Sequence, residues 1–265
     1  MQMNTFCKSN LLKIALRIDD IGASTKRFEV YSKKRYGNFL FLKYVKNFKA
    51  WGPYREMSVD EWNKVFSILR QFGAKLTVGV TAAWVERNGK LTYFPEKFPE
   101  EAMILKNGLN EGLIEIANHG LTHCVVGKHL PKLFTSNRYY HREFWVWIPR
   151  NIHFENVKRS QEILQDYFDV AVTTMIPPGN VFSDNTVQAA KKYGIKRINY
   201  RRMKKSMLKE IILSLDSKIT SEKNLPLENI IRFHDREIVT EGVDWLSRKL
   251  KAISAERQFV FVRDL

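Results

Sequence analysis

Four places in this 265-residue chain set chemically capable side chains directly behind an apolar run: Asp19-Asp20, Asn118-His119-Gly120-Leu121-Thr122-His123, Pro177-Pro178-Gly179-Asn180 and His234-Asp235. Adjacent carboxylates can divide labour, one binding a cation while the other, its charge tolerated because of that cation, moves protons. Aspartates also end strands and open turns for local reasons alone, so the pair carries that reading too. His119 and His123, four residues apart, can bring two neutral imidazole nitrogens onto one metal ion, or can serve as hydrogen-bonding loop residues. Gly120 gives the loop freedom, and the Thr122 hydroxyl can pin the backbone between the rings. His234 alone reads more simply as a satisfied histidine at a strand end. His129, His141 and His153 have no partner at an informative spacing and are read as surface or loop residues, and Cys124 as inert packing.

What must position these residues is an alternation of short apolar runs and amphipathic segments. Leu12–Ile18 reads as a strand. Ser58–Phe72 reads as a helix with Ser58 and Glu61 in capping-box spacing, Val59, Trp62, Val65, Phe66 and Leu69 on one face, and Gly73 closing it. A strand over Lys75–Val80, a helix from Pro99 to Lys106 and a strand over Leu113–Ala117 follow. Then come a helix over Glu155–Tyr167, a strand over Val170–Ile176, a helix over Asp184–Tyr193 capped by Ser183, and a strand over Lys196–Tyr200. The chain closes with a strand over Ile230–Phe233, a helix near Glu241–Ile253 and a strand over Phe259–Val262. Such alternation implies a mainly parallel sheet with helices outside it, open or closed into a barrel. Its active site collects behind the carboxyl ends of the strands, where all four places lie.

Composition narrows the possibilities. With 44% hydrophobic and 27% charged residues the chain is globular, and one domain is the default. Two cysteines are too few for a disulfide framework or a cysteine-based zinc fold. The stretch Leu11–Ile18 is broken by Lys13 and Arg17 and followed by Asp19, so it is read as a buried strand and not as a signal or spanning segment, which makes the cytoplasm the expected location. The formal net charge of +16 implies attraction to something anionic, or simply a solvated basic surface. Nine Lys or Arg stand in Lys26–Arg55 against Glu29 alone, and nine in Lys191–Lys209 with no acid. One of these stretches is expected to flank the site and attract a phosphate-bearing substrate or the anionic face of a membrane.

The motifs together resemble the polysaccharide deacetylases of the NodB-homology type, carbohydrate esterase family 4. Arg17-Ile18-Asp19-Asp20-Ile21-Gly22 is similar to the family's first motif, and Glu115 through His123 to its second, including the Asn before one histidine and the Thr before the other. Ile176-Pro177-Pro178-Gly179-Asn180 resembles the third, and Ile230 through Asp235 the fifth. The resemblance implies an α/β fold, a single-domain distorted (β/α) barrel of the polysaccharide deacetylase type over residues 1–265, with a basic insertion near 23–56 and an aromatic insertion near 125–150. It also implies a metal-dependent hydrolase that removes acetyl groups from N-acetylated, sometimes O-acetylated, sugars. Carried over position by position, Asp20, His119 and His123 would hold a divalent metal, Zn2+ first and Co2+ or Mn2+ as alternatives. Asp19 would be the general base and His234 the general acid, with Pro178, Gly179 and Asn180 on the substrate and oxyanion side. Two departures stand out. Ile176 occupies the position where the family places an arginine that orients the base, a role that Arg17 could take over. No fourth motif is evident, since Asp244-Trp245 lies after His234 and not before it.

The expected function is therefore N-deacetylation of a small acetylated sugar, nucleotide- or lipid-linked, in bacterial surface-glycan biosynthesis, by a cytoplasmic enzyme in peripheral contact with the anionic inner membrane face. Nucleic acid is not an expected partner. The alternative is a catalytically degenerate basic protein on the same scaffold, binding a membrane surface or nucleic acid.

Overall fold

One strand, β1 (Leu12–Ile21), organises the molecule: it is buried from Ile14 onward and pairs with three others. A computed structural model describes residues 12–200, 229–253 and 257–265. In chain order the elements after β1 are α1 (Thr25–Phe28), β2 (Tyr31–Ser32), β3 (Lys49–Trp51), α2 (Val59–Gln71), β4 (Leu76–Val80), β5 (Ala83–Val85), β6 (Leu91–Tyr93), α3 (Phe94–Lys97), α4 (Pro99–Asn110) and β7 (Ile114–Asn118). Then follow α5 (Arg150–Phe168), β8 (Thr174–Met175), α6 (Asp184–Lys192), β9 (Arg197–Ile198), β10 (Ile230–His234), α7 (Asp235–Glu241), α8 (Asp244–Lys251) and β11 (Arg257–Val260). Seven strands make one curled parallel sheet in the order β10-β1-β4-β7-β8-β9, with β11 on the first half of β1. The pairs β2–β3 and β5–β6 are antiparallel and lie outside it.

Alternation along β1 separates two environments. Leu16 and Ile18 enter the main apolar core with Trp62, Val65 and Leu69 of α2, Leu105 of α4, and Leu246 and Leu250 of α8. Arg17 and Asp19 turn to the other face, where Arg17 stands in register with Thr77, and Thr77 with Glu115. That inner face is polar. The hydroxyls of Thr77 and Thr174 donate to Glu115 at 2.8 and 2.5 Å, so the carboxyl is buried but satisfied.

Helix α2 forms as its residues dictate: Glu61 N–H donates to the Ser58 hydroxyl at 3.3 Å, and Ser58 N–H to the Glu61 carboxylate at 2.8 Å. Trp62, Val65, Phe66 and Leu69 are buried. Elsewhere the expectations need correction. The strand expected over Val170–Ile176 shrinks to Thr174–Met175, because side chains of α5 take the backbone of the approach: Val172 N–H donates to Gln165 and Gln161 donates to Val172 O. The strand expected over Lys196–Tyr200 is Arg197–Ile198. The helix expected near Glu241–Ile253 is α8, shorter at both ends, and a separate, unexpected helix, α7, precedes it; Gly242, with a left-handed φ of 81°, parts the two. The last strand lies two residues earlier than expected.

Both segments read as insertions are tied to the barrel. Lys26, 1% exposed, is ion-paired with Glu56 at 2.5 Å and with Asp235, and Tyr54 donates to Asp235 at 2.9 Å. Asn137, in the aromatic segment, donates to Phe28 O at 2.6 Å and accepts from Val30 N–H at 3.0 Å. His129, His141 and His153 are buried, contrary to the surface reading. His141 donates to His129 O at 2.6 Å, His129 to Glu86 O at 3.2 Å, and His153 bonds the Thr186 hydroxyl at 2.9 Å. The part of the basic stretch beyond Tyr200 lies outside the described residues. No helix among the described residues is long and apolar enough to cross a membrane.

Candidate active site

The carboxyl ends of β1, β7, β8 and β10 open on one cavity of about 240 Å³, lined by Asp19, Asp20, His119, His123, Pro177, Gly179, Asn180 and His234, with Glu29, Arg138 and Arg142 opposite. Every candidate residue from the sequence except Pro178 lines it. Pro178 is buried, with its ring against the space a side chain on Gly120 would need.

Asp19 and Asp20, neighbours in sequence, face different partners because β1 bulges there. The register with β4 shifts between Ile18 and Ile21, and Asp20 adopts a left-handed φ of 72°. For a residue with a Cβ this costs of order 1–3 kcal/mol, so the surroundings must impose it. Asp19 stays on the inner face and receives both arms of the Arg17 guanidinium, Nε to Oδ1 at 2.8 Å and Nη2 to Oδ2 at 2.6 Å. Arg17 in turn donates to the Asn199 side chain. Burial pushes the Asp19 carboxyl up, and the bidentate guanidinium more than offsets that, leaving its pKa below the ordinary carboxylate value. An arginine two positions back on the same strand face thus holds the carboxylate next to which Ile176 offers no charge.

Asp20 meets the histidine loop. His119 Nε2 and His123 Nε2 each lie 3.1 Å from Asp20 Oδ1, and the three side chains present one donor atom each within 4.8 Å of one another. His119 Nδ1–H donates to Ile176 O at 2.7 Å, which places the lone pair of the neutral ring on Nε2. Neither ring nitrogen of His123 has a hydrogen-bond partner although the residue is buried, and burial depresses its pKa to about 4. The Nε2 atoms of both rings therefore converge on one Asp20 oxygen, and this donor set of two nitrogens and one oxygen suits a divalent transition metal.

The loop is held from beneath by a residue that motif reading does not find. Glu143, fully buried, accepts from Leu121 N–H at 2.8 Å and from Thr122 N–H and His123 N–H at 2.6 Å each, and from the Thr122 hydroxyl at 2.8 Å. Asn118 accepts from Gly120 N–H at 2.8 Å while its amide donates to Ser160 and Gln161. Gly120 and His123 both take positive φ inside this cage. Across the cavity, Asn180 N–H closes a turn on Pro177 O at 2.9 Å, and the Gly179 N–H has no acceptor among the described residues.

His234, in register with Asp19, ends β10 and caps α7. Glu237, one turn along, accepts the His234 backbone N–H at 2.7 Å and stands 3.4 Å from its Nδ1. Burial works against the imidazolium, but the Glu237 hydrogen bond and the charges of Asp20 and Asp19 outweigh it and raise the pKa to about 9. The stability linked to this group is complete below the ordinary histidine pKa and is lost as pH rises through about 9. Glu237→Gln should therefore move the alkaline limb of kcat/KM to lower pH by about one unit, with little change in rate below pH 6. A pH–rate profile identical to that of the parent would detach Glu237 from the acid.

The sequence profile of the polysaccharide deacetylase family matches residues 52–198, more than half of the chain, and the chain belongs to that family. The matched segment holds the histidine loop and the Pro177–Asn180 turn. Asp19, Asp20 and His234 lie outside it and join the site through β1 and β10. The fold is similar to that of the Xyl-CE4 domain of a multidomain xylanase from the hindgut metagenome of Trinervitermes trinervoides, with a TM-score of 0.50 and 14% identity over 96% of this chain and 89% of that one. It is the distorted (β/α) barrel of the polysaccharide deacetylases. A family 4 pseudoenzyme from Bacillus anthracis aligns at 13% identity and a TM-score of 0.49 over 97% of this chain and 66% of its own. A Mycobacterium smegmatis chain classed with the polysaccharide deacetylases aligns at 17% identity and a TM-score of 0.38 over 54% of this chain, which spans only 38% of that relative's length. No curated protein sequence matches the chain.

Proposed function

We propose that the chain is a metal-dependent deacetylase acting on an N-acetylated sugar of bacterial surface-glycan biosynthesis, nucleotide- or lipid-linked, at the cytoplasmic side of the membrane. The observation that carries the reading is the convergence of Asp20, His119 and His123 beside a separately charged Asp19. Asp20, His119 and His123 would hold the ion, Zn2+ first with Co2+ or Mn2+ as alternatives, and the ion would acidify a water and polarise the acetyl carbonyl. Asp19, kept ionised by Arg17, takes the proton of the attacking water. The Gly179 N–H, left without an internal acceptor, donates to the oxyanion, with Asn180 beside it on the substrate. His234, protonated at neutral pH, gives its proton to the departing amine, and Glu237 steadies the ring during the transfer.

Loss of the third-motif arginine at Ile176 would favour the alternative, a degenerate binding protein; the Arg17–Asp19 pair supports the enzyme, since it brings a guanidinium to Asp19 from β1. Purified protein should carry one divalent ion per chain and release acetate from N-acetylated sugars. His119→Ala and His123→Ala should each lose ion and activity together. Full metal occupancy in both variants, read by elemental analysis, would sink the ligand assignment.

A further inference from the structure

The two inserted segments contribute Glu29, Arg138 and Arg142 to the lining of the cavity, and this contribution is cationic. Arg138 stacks on Tyr31, its guanidinium carbon 4.4 Å from the ring centroid, so its direction is fixed although half of its side chain is exposed. Arg142 is anchored through Nη1, which donates to Arg138 O and His141 O at 3.0 Å each. For its Nε and Nη2 the described residues supply no hydrogen-bond acceptor. Its side chain lies against Gly179, where a Cβ would collide with it, so glycine at this turn admits the arginine to the cavity.

Glu29 faces both arginines without closing on either, 3.6 Å from Arg138 Nε and 3.8 Å from Arg142 Nη1, beyond hydrogen-bond length. The charges along the wall do not balance. Asp19 is neutralised by Arg17, and Asp20 belongs to the metal-ligand set, which leaves one carboxylate against two guanidiniums. Guanidinium edges held in place in a partly buried cavity are suited to bind the oxygens of a phosphate or carboxylate bidentately. The long Glu29 contacts leave those edges available.

We infer that Arg138 and Arg142 form a subsite for an anionic group, phosphate or carboxylate, carried by the acetylated sugar. The cavity, about 240 Å³, is small beside the roughly 300–1,000 Å³ of ordinary ligand clefts. The charge must therefore sit on the acetylated unit itself or on the atom next to it. This identification of the ligand's carrier rests on the proposed deacetylase reading; the anion subsite itself does not.

The test is the binding of inorganic phosphate to the as-purified protein by calorimetry, together with initial rates on N-acetylglucosamine 1-phosphate, N-acetylmuramic acid and neutral N-acetylglucosamine. Arg138→Gln and Arg142→Gln should each weaken phosphate binding about tenfold or more. Glu29→Gln, which removes the competing carboxylate, should tighten it, a gain that mere structural damage does not produce. The two anionic sugars separate phosphate from carboxylate as the natural group, and the preference for the better one over neutral sugar should collapse in both arginine variants. Phosphate binding that survives both arginine variants, as it would if held by a metal ion or by the general basic surface, overturns the subsite. Absence of acetate release from every sugar, with arginine-dependent phosphate binding intact, would count against the deacetylase reading and leave the subsite standing.

Discussion

Asp19→Asn should keep one divalent ion per chain and lose about 10²–10⁴-fold in kcat, whereas Asp20→Asn should lose the ion. The two carboxylates are adjacent in sequence, but the left-handed turn at Asp20 sends them to different work. Asn at position 19 keeps the shape and one of the two bonds from Arg17, through its amide oxygen, while the proton acceptor is gone. At position 20, a neutral amide oxygen replaces an anionic ligand beside His119 and His123. The acid limb of kcat/KM in the parent should fall below the ordinary carboxylate range, following the depressed pKa of Asp19. Elemental analysis and single-turnover rates on the same preparations decide the matter. Equal metal loss in the two variants, or full activity in Asp19→Asn, would overturn the division of roles.

Arg17→Met should be the most damaging single change for stability. Arg17 is 1% exposed and Asp19 6%, so the substitution strands a buried carboxylate without its counter-charge. Breaking a buried pair from one side costs about 3–5 kcal/mol. The pH dependence has a definite sign. A carboxyl whose folded pKa lies below its unfolded one stabilises the fold above the unfolded value, and that contribution disappears as pH falls through the folded value. The gap between parent and Arg17→Met should therefore be largest at neutral pH and narrow towards pH 4, because the unpaired buried carboxyl of the variant takes up its proton at higher pH than the paired one of the parent. Removing both partners together, as in Arg17→Met with Asp19→Asn, should recover much of the loss, because it leaves no orphaned charge. Urea midpoints for the four proteins at pH 7.5 and pH 4 supply the comparison, and an unchanged midpoint in Arg17→Met would show that the pair contributes nothing.

Much of this site is legible from short-range pattern. The period-2 alternation of β1 puts Arg17 and Asp19 on one face, which is why an arginine two residues back could be suspected of orienting the base. Helix α2 follows from its cap and its apolar stripe, and the histidine loop from its spacing. What the pattern hides are the contacts made by turns. Glu143 lies among aromatic residues with no periodicity, and nothing local indicates that its carboxylate folds back under Leu121–His123. Arg142 and Glu29 come side by side in the cavity lining from segments more than a hundred residues apart, brought there by the way the two insertions pack. Glu237 is the intermediate case. Its i+3 spacing from His234 has the form of a capping box, but a histidine in the cap position does not advertise one. The late start of α8 was foreseeable from Gly242, whose lack of a Cβ permits the positive φ that parts it from α7.

The pairing of β1 with both β10 and β11 bears on how the protein is made. The strand that carries Asp19 and Asp20 is synthesised about 215 residues ahead of the strand that sets His234 in register with Asp19. At a synthesis rate of roughly 5–20 residues per second, β1 waits about 10–40 s for that neighbour. For about the second half of that interval a nascent chain contains β1, β4, β7 and both histidines of the loop, but not His234. The cavity is therefore completed last by His234, when β10 pairs with β1.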